Sequence, residues 1–331
     1  NALFELGILK SHSFYIPVIS VGNITVGGTG KTPHVEYLVQ LLRKNFHVAV
    51  LSRGYKRKSK GFKIADEHST ARDIGDEPLQ IHRKFQDVTV AVDRNRCHGI
   101  NMLTSKEAKK DVDVILLDDA YQHRYVKPGI NILLVDYHRL IIYDKLLPAG
   151  RLREPISSKS RADMVIVTKC PKDLKPIDFR VIAKAMNLFP YQKLYFTTLE
   201  YGALSPIYCG EQKQLEDIKP HEHIMLLTGI ASPKQIAIDL MPYSKNIHPL
   251  TFGDHHAFSQ KDVKTINETF AEMPSPKMII TTEKDATRLF GIDGLSEEVR
   301  HNIYILPVRI AFLLDEEESF NEKIIGYVHK N

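Results

Sequence analysis

Short apolar runs recur along the first half of the chain, separated by stretches with helical spacing. Residues 17–21 read PVISV, 48–51 VAVL, 88–92 VTVAV, 112–117 VDVILL, 130–135 INILLV and 164–168 MVIVT. Runs this apolar, with no clean alternation, predict strands buried on both faces of a parallel sheet. Helical stretches between them predict a doubly wound α/β layer. The clearest helix follows Lys31, where Val35, Leu38, Val39 and Leu42 keep one face of a 3.6-residue period. After residue 171 the pattern restarts. Residues 194–199 read as an extended connector, and 224–227, 278–281 and 303–308 predict strands of a second, smaller lobe. From Asp315 the tail is acidic and then amphipathic. The expected division is a first lobe over residues 1–192, a linker over 193–215 and a second lobe over 216–331, with a C-terminal tail able to return to the first lobe.

Composition changes this picture little. A chain of 331 residues is long enough for two α/β lobes, and 43% hydrophobic with 26% charged residues is ordinary for a globular protein. The net charge of +5 is a mild basic bias, which suits an anionic substrate or an acidic membrane surface. Cys97, Cys170 and Cys209 lie far apart, in no metal-ligand spacing, and read as free thiols. No apolar run approaches the roughly 20 residues of a spanning helix.

The strongest chemical signal is residues 21–33, VGNITVGGTGKTP. A strand ends, a glycine cluster follows and a helix begins. Glycines let the backbone turn tightly and bring N–H groups close to phosphate oxygens, and the helix N-terminus adds a positive field. A glycine cluster alone is compatible with a chance turn; the strand before it and the helix after it favour a phosphate loop formed by Thr25, Val26, Gly27, Gly28, Thr29, Gly30, Lys31 and Thr32. Lys31 would reach the β- and γ-phosphates, Thr32 would hold Mg²⁺, and Pro33 suits a first helical turn. Thr25 stands where the plain GxxxxGK[ST] pattern has its first glycine. A dinucleotide site would need a glycine where Pro33 stands. A P-loop switch ATPase or metallochaperone is the alternative reading; switch ATPases need a signature lysine where this chain has Val26, which weakens it.

A second signal is the apolar strand over residues 112–117, which ends in Asp118 and Asp119. A buried strand delivering an acid at its carboxyl end is the arrangement that binds Mg²⁺ directly or through water. An isolated acid pair is also what a solvated turn looks like; a phosphate loop upstream favours the metal.

SRGYKRK (52–58), GDEP (75–78), DDAYQHR (118–124), PAGRLREP (148–155), FGDHHAF (252–258) and TTEKDATRL (281–289) follow the phosphate loop in order. With that loop, these blocks resemble the tetraacyldisaccharide 4′-kinase family, the lipid A 4′-kinases of Gram-negative bacteria. The resemblance runs from about residue 15 to residue 310, and Ala120 stands where the family often has glycine. It implies a P-loop NTPase fold of two α/β/α lobes joined by a short β linker, with ATP and Mg²⁺ as cosubstrates. It implies as acceptor the 4′-hydroxyl of an acylated glucosamine disaccharide 1-phosphate, the lipid A precursor. It also implies peripheral attachment to the cytoplasmic face of the inner membrane through an N-terminal amphipathic helix, of which residues 1–7 would be the last turns. No nucleic acid and no obligate protein partner are expected.

Roles follow from these motifs. Lys31 neutralises charge on the moving phosphoryl group. The resemblance implies that Asp76 acts with His255 to take the hydroxyl proton, as a histidine near its usual pKa allows. Thr32, Asp118 and Asp119 form the metal set, with Glu154 in the metal or water network or simply capping a helix. Gln122 and His123 lie beside the acids by adjacency, and Arg53 and Arg153 are candidates for substrate phosphate. The basic run Lys56, Arg57, Lys58 and Lys60 is open between headgroup contact and a solvated loop. Thr168 and Lys169 are a candidate nucleobase contact.

Overall fold

A computed structural model describes residues 4, 7–105, 111–230, 233–254 and 256–330. The chain forms two compact units, residues 1–199 with 310–331, and residues 200–309. The first opens with β1 (Val18–Gly22), α1 (Lys31–Leu42), β2 (Val48–Ser52), β3 (Lys63–Ile64), α2 (Ala71–Ile74) and α3 (Asp76–Lys84). It continues with β4 (Thr89–Val92), α4 (Arg96–Leu103), β5 (Val114–Asp118), β6 (Ile130–Asp136), β7 (Met164–Thr168), α5 (Pro176–Met186) and β8 (Lys193–Tyr201). The second unit carries β9 (Ser205–Pro206), β10 (His223–Thr228), α6 (Pro233–Leu240), β11 (Asn246–Thr251) and α7 (Gln260–Glu272). Then come β12 (Lys277–Thr282), α8 (Glu283–Leu289), α9 (Glu297–Asn302) and β13 (Ile303–Leu306). β14 (Val308–Phe312) and α10 (Glu317–His329) lead the chain back to the first unit.

The larger sheet has nine strands in the order β14-β8-β7-β6-β1-β5-β2-β4-β3. From β4 to β8 neighbouring strands run parallel, and β3 closes the far edge antiparallel. β1, β2, β5 and β7 are buried throughout, which is why their sequences read as unbroken apolar runs. Alternate residues face opposite layers. Ile19 and Val21 pack with Val35, Leu38 and Leu42 of α1 and with Phe320, Ile324 and Val328 of α10, whereas Val18 packs on the other face with Ile100 and Leu103 of α4. From β1 the chain runs to one side for β2 to β5 and to the other for β6 to β8, so a topological switch lies beside β1, where α/β sheets bind ligands at their carboxyl ends.

The second unit repeats the principle on a smaller scale. Its five strands run β11-β10-β12-β13-β9, parallel except for β9. The stretch 193–215 contains β8, an interior strand of the larger sheet, and β9. Of residues 1–7, on which the last turns of a membrane helix were expected, 1–3, 5 and 6 lie outside the described residues.

Candidate active site

The phosphate loop leaves β1 at Gly22, which abuts the turn after β5. A Cβ at Gly22 would come within 2.7 Å of Tyr121 Cβ and 2.8 Å of Tyr121 N, so only glycine lets the two strand ends approach this closely. Asn23 is fully buried, and its side-chain amide donates to Thr29 Oγ1 at 2.7 Å, bracing the loop across its base. Gly30 takes the left-handed conformation (φ 78) at the N-cap of α1 and no side chain caps that helix. Its first-turn N–H groups are therefore open to a ligand. Lys31 and Thr32 are the first residues of α1, and Pro33 follows in the same turn.

A strap from the PAGRLREP block lies along the loop. Val26 N–H donates to Arg151 O at 2.9 Å, Arg153 N–H donates to Ile24 O at 2.8 Å, and Thr25 bridges Leu152 antiparallel. These bonds pair the loop backbone with the strap, and Thr25 between them is only 8% exposed. Arg153 also donates to Asn23 Oδ1.

Asp118 and Asp119 end β5, the strand next to β1. Asp119 has a left-handed backbone (φ 47), and its carboxylate lies 3.6 Å from Lys31 Nζ and 3.5 Å from Arg153 Nη2. Asp118 is buried; Ser52 Oγ donates to its Oδ2 at 3.2 Å, and its Oδ1 has no hydrogen-bond partner among the described residues. Burial first, then the neighbouring charges of Glu77 and Asp119, push the Asp118 carboxyl up, while Lys31 and Arg96 oppose the shift. Arg96 is buried beneath the acids, donating to Asp118 O at 3.3 Å and Asp93 O at 3.0 Å.

Among the sequence candidates, Lys31, Asp119 and Arg153 meet directly, with Asp118 and Thr32 beside them. Gln122 faces the loop itself, donating to Asn23 O at 2.6 Å. His123 is half-buried, and burial, then Arg96, hold its ring below the usual histidine range. Arg53 is exposed just past the carboxyl end of β2 and adds to the positive field on His123. Glu154 is buried and accepts from Arg161 Nη2 at 2.7 Å, which leaves Glu154 Oε1 without a hydrogen-bond partner among the described residues. Asp76 opens α3, after Gly75 at φ 95. Arg57 turns inward, donating to Gly61 O at 2.6 Å, and so braces its own loop. Lys56, Lys58 and Lys60 are exposed. His255 lies outside the described residues. Sequence reasoning passed over Asn23, Glu77 and Arg96. Glu77 stands next to Asp76 in GDEP, and that adjacency at a helix start was the available signal.

The family model for Tetraacyldisaccharide-1-P 4′-kinase matches residues 1–329. Tetraacyldisaccharide 4′-kinase of Phocaeicola vulgatus is 57% identical over 333 residues, covering 100% of this chain and 91% of the relative. That of Bacteroides thetaiotaomicron is 54% identical over 340 residues, covering 100% and 89%. The crystal structure of LpxK from Aquifex aeolicus in complex with ATP has a TM-score of 0.75 at 29% identity, covering 99% of this chain and 93% of that one. With the phosphate loop, the strand-end acids and the strap all falling within the matched region, the chain belongs to the tetraacyldisaccharide-1-P 4′-kinase family.

Proposed function

We propose that the chain transfers the γ-phosphoryl group of ATP to the 4′-hydroxyl of a tetraacylated glucosamine disaccharide 1-phosphate, a step of lipid A biosynthesis. The observation that carries this reading is the meeting of an open helix N-terminus, bearing Lys31 and Thr32, with Asp118 and Asp119 at the end of the adjacent strand. The ATP held by the Aquifex aeolicus relative supports ATP as the cosubstrate here.

Phosphoryl transfer depends on positioning and charge neutralisation more than on covalent help. The loop over Thr25 to Gly30 cradles the phosphates through its N–H groups, and Lys31 neutralises charge on the transferring group. Thr32 and Asp118, with Asp119 beside them and Glu154 in the surrounding network, would hold Mg²⁺. The donor set fits that ion: a buried carboxylate oxygen without a partner, crowded by two further acids, is relieved by a divalent cation. When bound, Mg²⁺ neutralises negative charge on the phosphate oxygens. Asp76 and His255 accept or relay the hydroxyl proton. Arg53 and His123 serve the anionic acceptor, whereas Gln122 and Arg153 act on the loop and Asp119. The protein works as a peripheral enzyme on the cytoplasmic face of the inner membrane; no helix among the described residues is long and apolar enough to cross a membrane.

The test is ATP consumption with and without the lipid disaccharide. Turnover should rise sharply with acceptor, with phosphate appearing at the 4′ position, and Lys31→Ala should lose most of it while remaining folded. ATP hydrolysis indifferent to the acceptor would overturn the kinase reading in favour of a switch ATPase. Attachment is read from co-sedimentation of the full-length protein with anionic vesicles at low salt, and a protein left wholly in the supernatant contradicts it.

A further inference from the structure

We propose that Thr168 and Lys169, backed by Asp136, are positioning residues that set the phosphate loop for a nucleotide's polyphosphate; this rests on the phosphate-loop reading above. Both follow from the strand order, which puts the carboxyl end of β7 two strands from β1. Lys169 sits just past that end in a left-handed conformation (φ 58), which L residues rarely adopt.

Three successive loop carbonyls are each held by a side chain. Lys169 Nζ donates to Gly28 O, Thr168 Oγ1 to Thr29 O at 3.0 Å, and His34 Nδ1 to Gly30 O at 2.7 Å. The only cis bonds among the described residues precede Pro148 and Pro276, so the loop's peptide units are trans. In a planar trans unit, the C=O of one residue and the N–H of the next point in opposite directions. Holding the carbonyls of Gly28 and Thr29 toward β7 therefore turns the N–H groups of Thr29 and Gly30 the other way. Among the described residues, neither of those two N–H groups donates to any protein acceptor. Successive N–H groups turned to one side without partners form an anion-binding nest.

Lys169 acts in this as a clamp. Its ammonium pairs with Asp136 Oδ2 at 2.7 Å, and Asp136 Oδ1 accepts His138 N–H at 2.9 Å, so the carboxylate is fixed from both sides. A lysine fixed by an ion pair in this way is suited to orienting the cradle. The candidate nucleobase contact at Thr168 and Lys169 thus becomes a contact with the loop that would hold the phosphates.

The test uses the full-length protein with Mg²⁺ and ATP, measuring ATP affinity directly and KM for ATP against kcat and lipid KM. Lys169→Met and Thr168→Val should each raise KM for ATP by roughly ten- to a hundredfold, because a loop that holds its binding conformation only about a tenth to a hundredth of the time binds more weakly by that fraction. kcat and lipid KM should change little, while Thr168→Val, which removes a buried hydroxyl, lowers the thermal midpoint modestly. Lys169→Arg, which keeps a cation for Asp136 and a donor for Gly28, should restore most of the lost affinity. Adding Asp136→Asn to Lys169→Met should cost little more, because the two act as one unit. Wild-type KM for ATP in Lys169→Met and Thr168→Val, or a fall in thermal midpoint with KM unchanged, overturns the proposal. Should Lys169→Met fail to fold, Thr168→Val decides alone. Lys31→Ala is the separate control: if it keeps full turnover, the phosphate-loop reading itself fails, whereas an inactive Lys31→Ala beside unaffected Lys169 and Thr168 variants removes only their positioning role.

Discussion

At the scale of single residues, His34 is held neutral by its surroundings. Gly30 O can only accept, so Nδ1 carries the proton, and Nε2 is left to accept from Thr197 Oγ1 at 3.0 Å. Burial pulls the ring's pKa from 6.5 to about 4, with the Gly30 bond opposing. The folded state thus binds a proton less readily than the unfolded chain. The stabilisation is complete above pH 6.5 and is lost as pH falls through about 4. Applying linkage to these values, the loss by pH 5 is about 2 kcal/mol. Urea midpoints at pH 7.5 and pH 5 should show this for the wild type and less of it for His34→Gln; equal losses in both would remove His34 as the cause. Asp118 presents the opposite case, a buried carboxylate beside two further acids with an oxygen unpartnered. In the metal-free protein Asp118→Asn is expected to raise the thermal midpoint while lowering kcat by roughly 10²–10³-fold, the scale for losing one electrostatic element of a transition state. A midpoint that drops instead would mean Asp118 is a structural ion-pair partner. Lys31, Thr32 and the acid pair were legible because their chemistry stands in contiguous words of sequence. Asn23, Glu77 and Arg96 were not, since their roles depend on which strand ends meet.

At the scale of elements, what could be read was set by burial. Strands covered on both faces carry unbroken apolar runs, so β1, β2, β5, β6 and β7 declared themselves. β11 reads NIHPLT, with His248 and Pro249 exposed on the edge of its sheet, and gives no such run. The two-residue strands β3 and β9 are too short to carry any period. Residues 194–199 read as extended, but nothing local to them reveals β8 as an interior strand. The junction of β1, the phosphate loop and the turn after β5 is where element packing bears on the site. Gly22→Ala would drive a methyl into Tyr121 backbone and Cβ, with no flexible side-chain end to yield. The expected cost is about 1–3 kcal/mol in denaturant unfolding, the usual range for overpacking. KM for ATP should rise with it, because the loop starts at that residue. Unchanged stability and unchanged KM would show that the two strand ends separate freely.

At the scale of the whole molecule, the chain leaves its first unit after residue 199 and returns at residue 310. The return is substantial. β14 is the edge neighbour of β8, and α10 buries Phe320, Ile324 and Val328 against the β1 layer. Tyr327 OH accepts Val18 N–H at 3.2 Å. Each such apolar side chain contributes about 1.5–3 kcal/mol when fully buried, a large share of a domain's marginal stability. A chain ending at residue 199 should therefore fail to give a cooperative unfolding transition. Residues 200–309 have two apolar clusters of their own, one on each face of their sheet, and should fold alone. Leu313 N–H donates to Phe196 O and Gly202 N–H to Pro307 O, both at 2.9 Å, so partners run in opposite directions along the two chain segments. Residues 199 and 310 are thus close enough for a short Gly/Ser turn to join 1–199 directly to 310–331. That chain should unfold cooperatively and retain measurable ATP affinity, since the phosphate loop, Asp118 and Lys169 all lie within it. It should transfer no phosphoryl group to the lipid, because FGDHHAF, with His255, is gone. Circular dichroism melts and nucleotide titration measure the first two properties, and thin-layer separation of labelled lipid measures the third. A joined chain that stays unfolded would mean the first unit depends on the second for its fold, and one that still phosphorylates the lipid would remove His255 from the proton step.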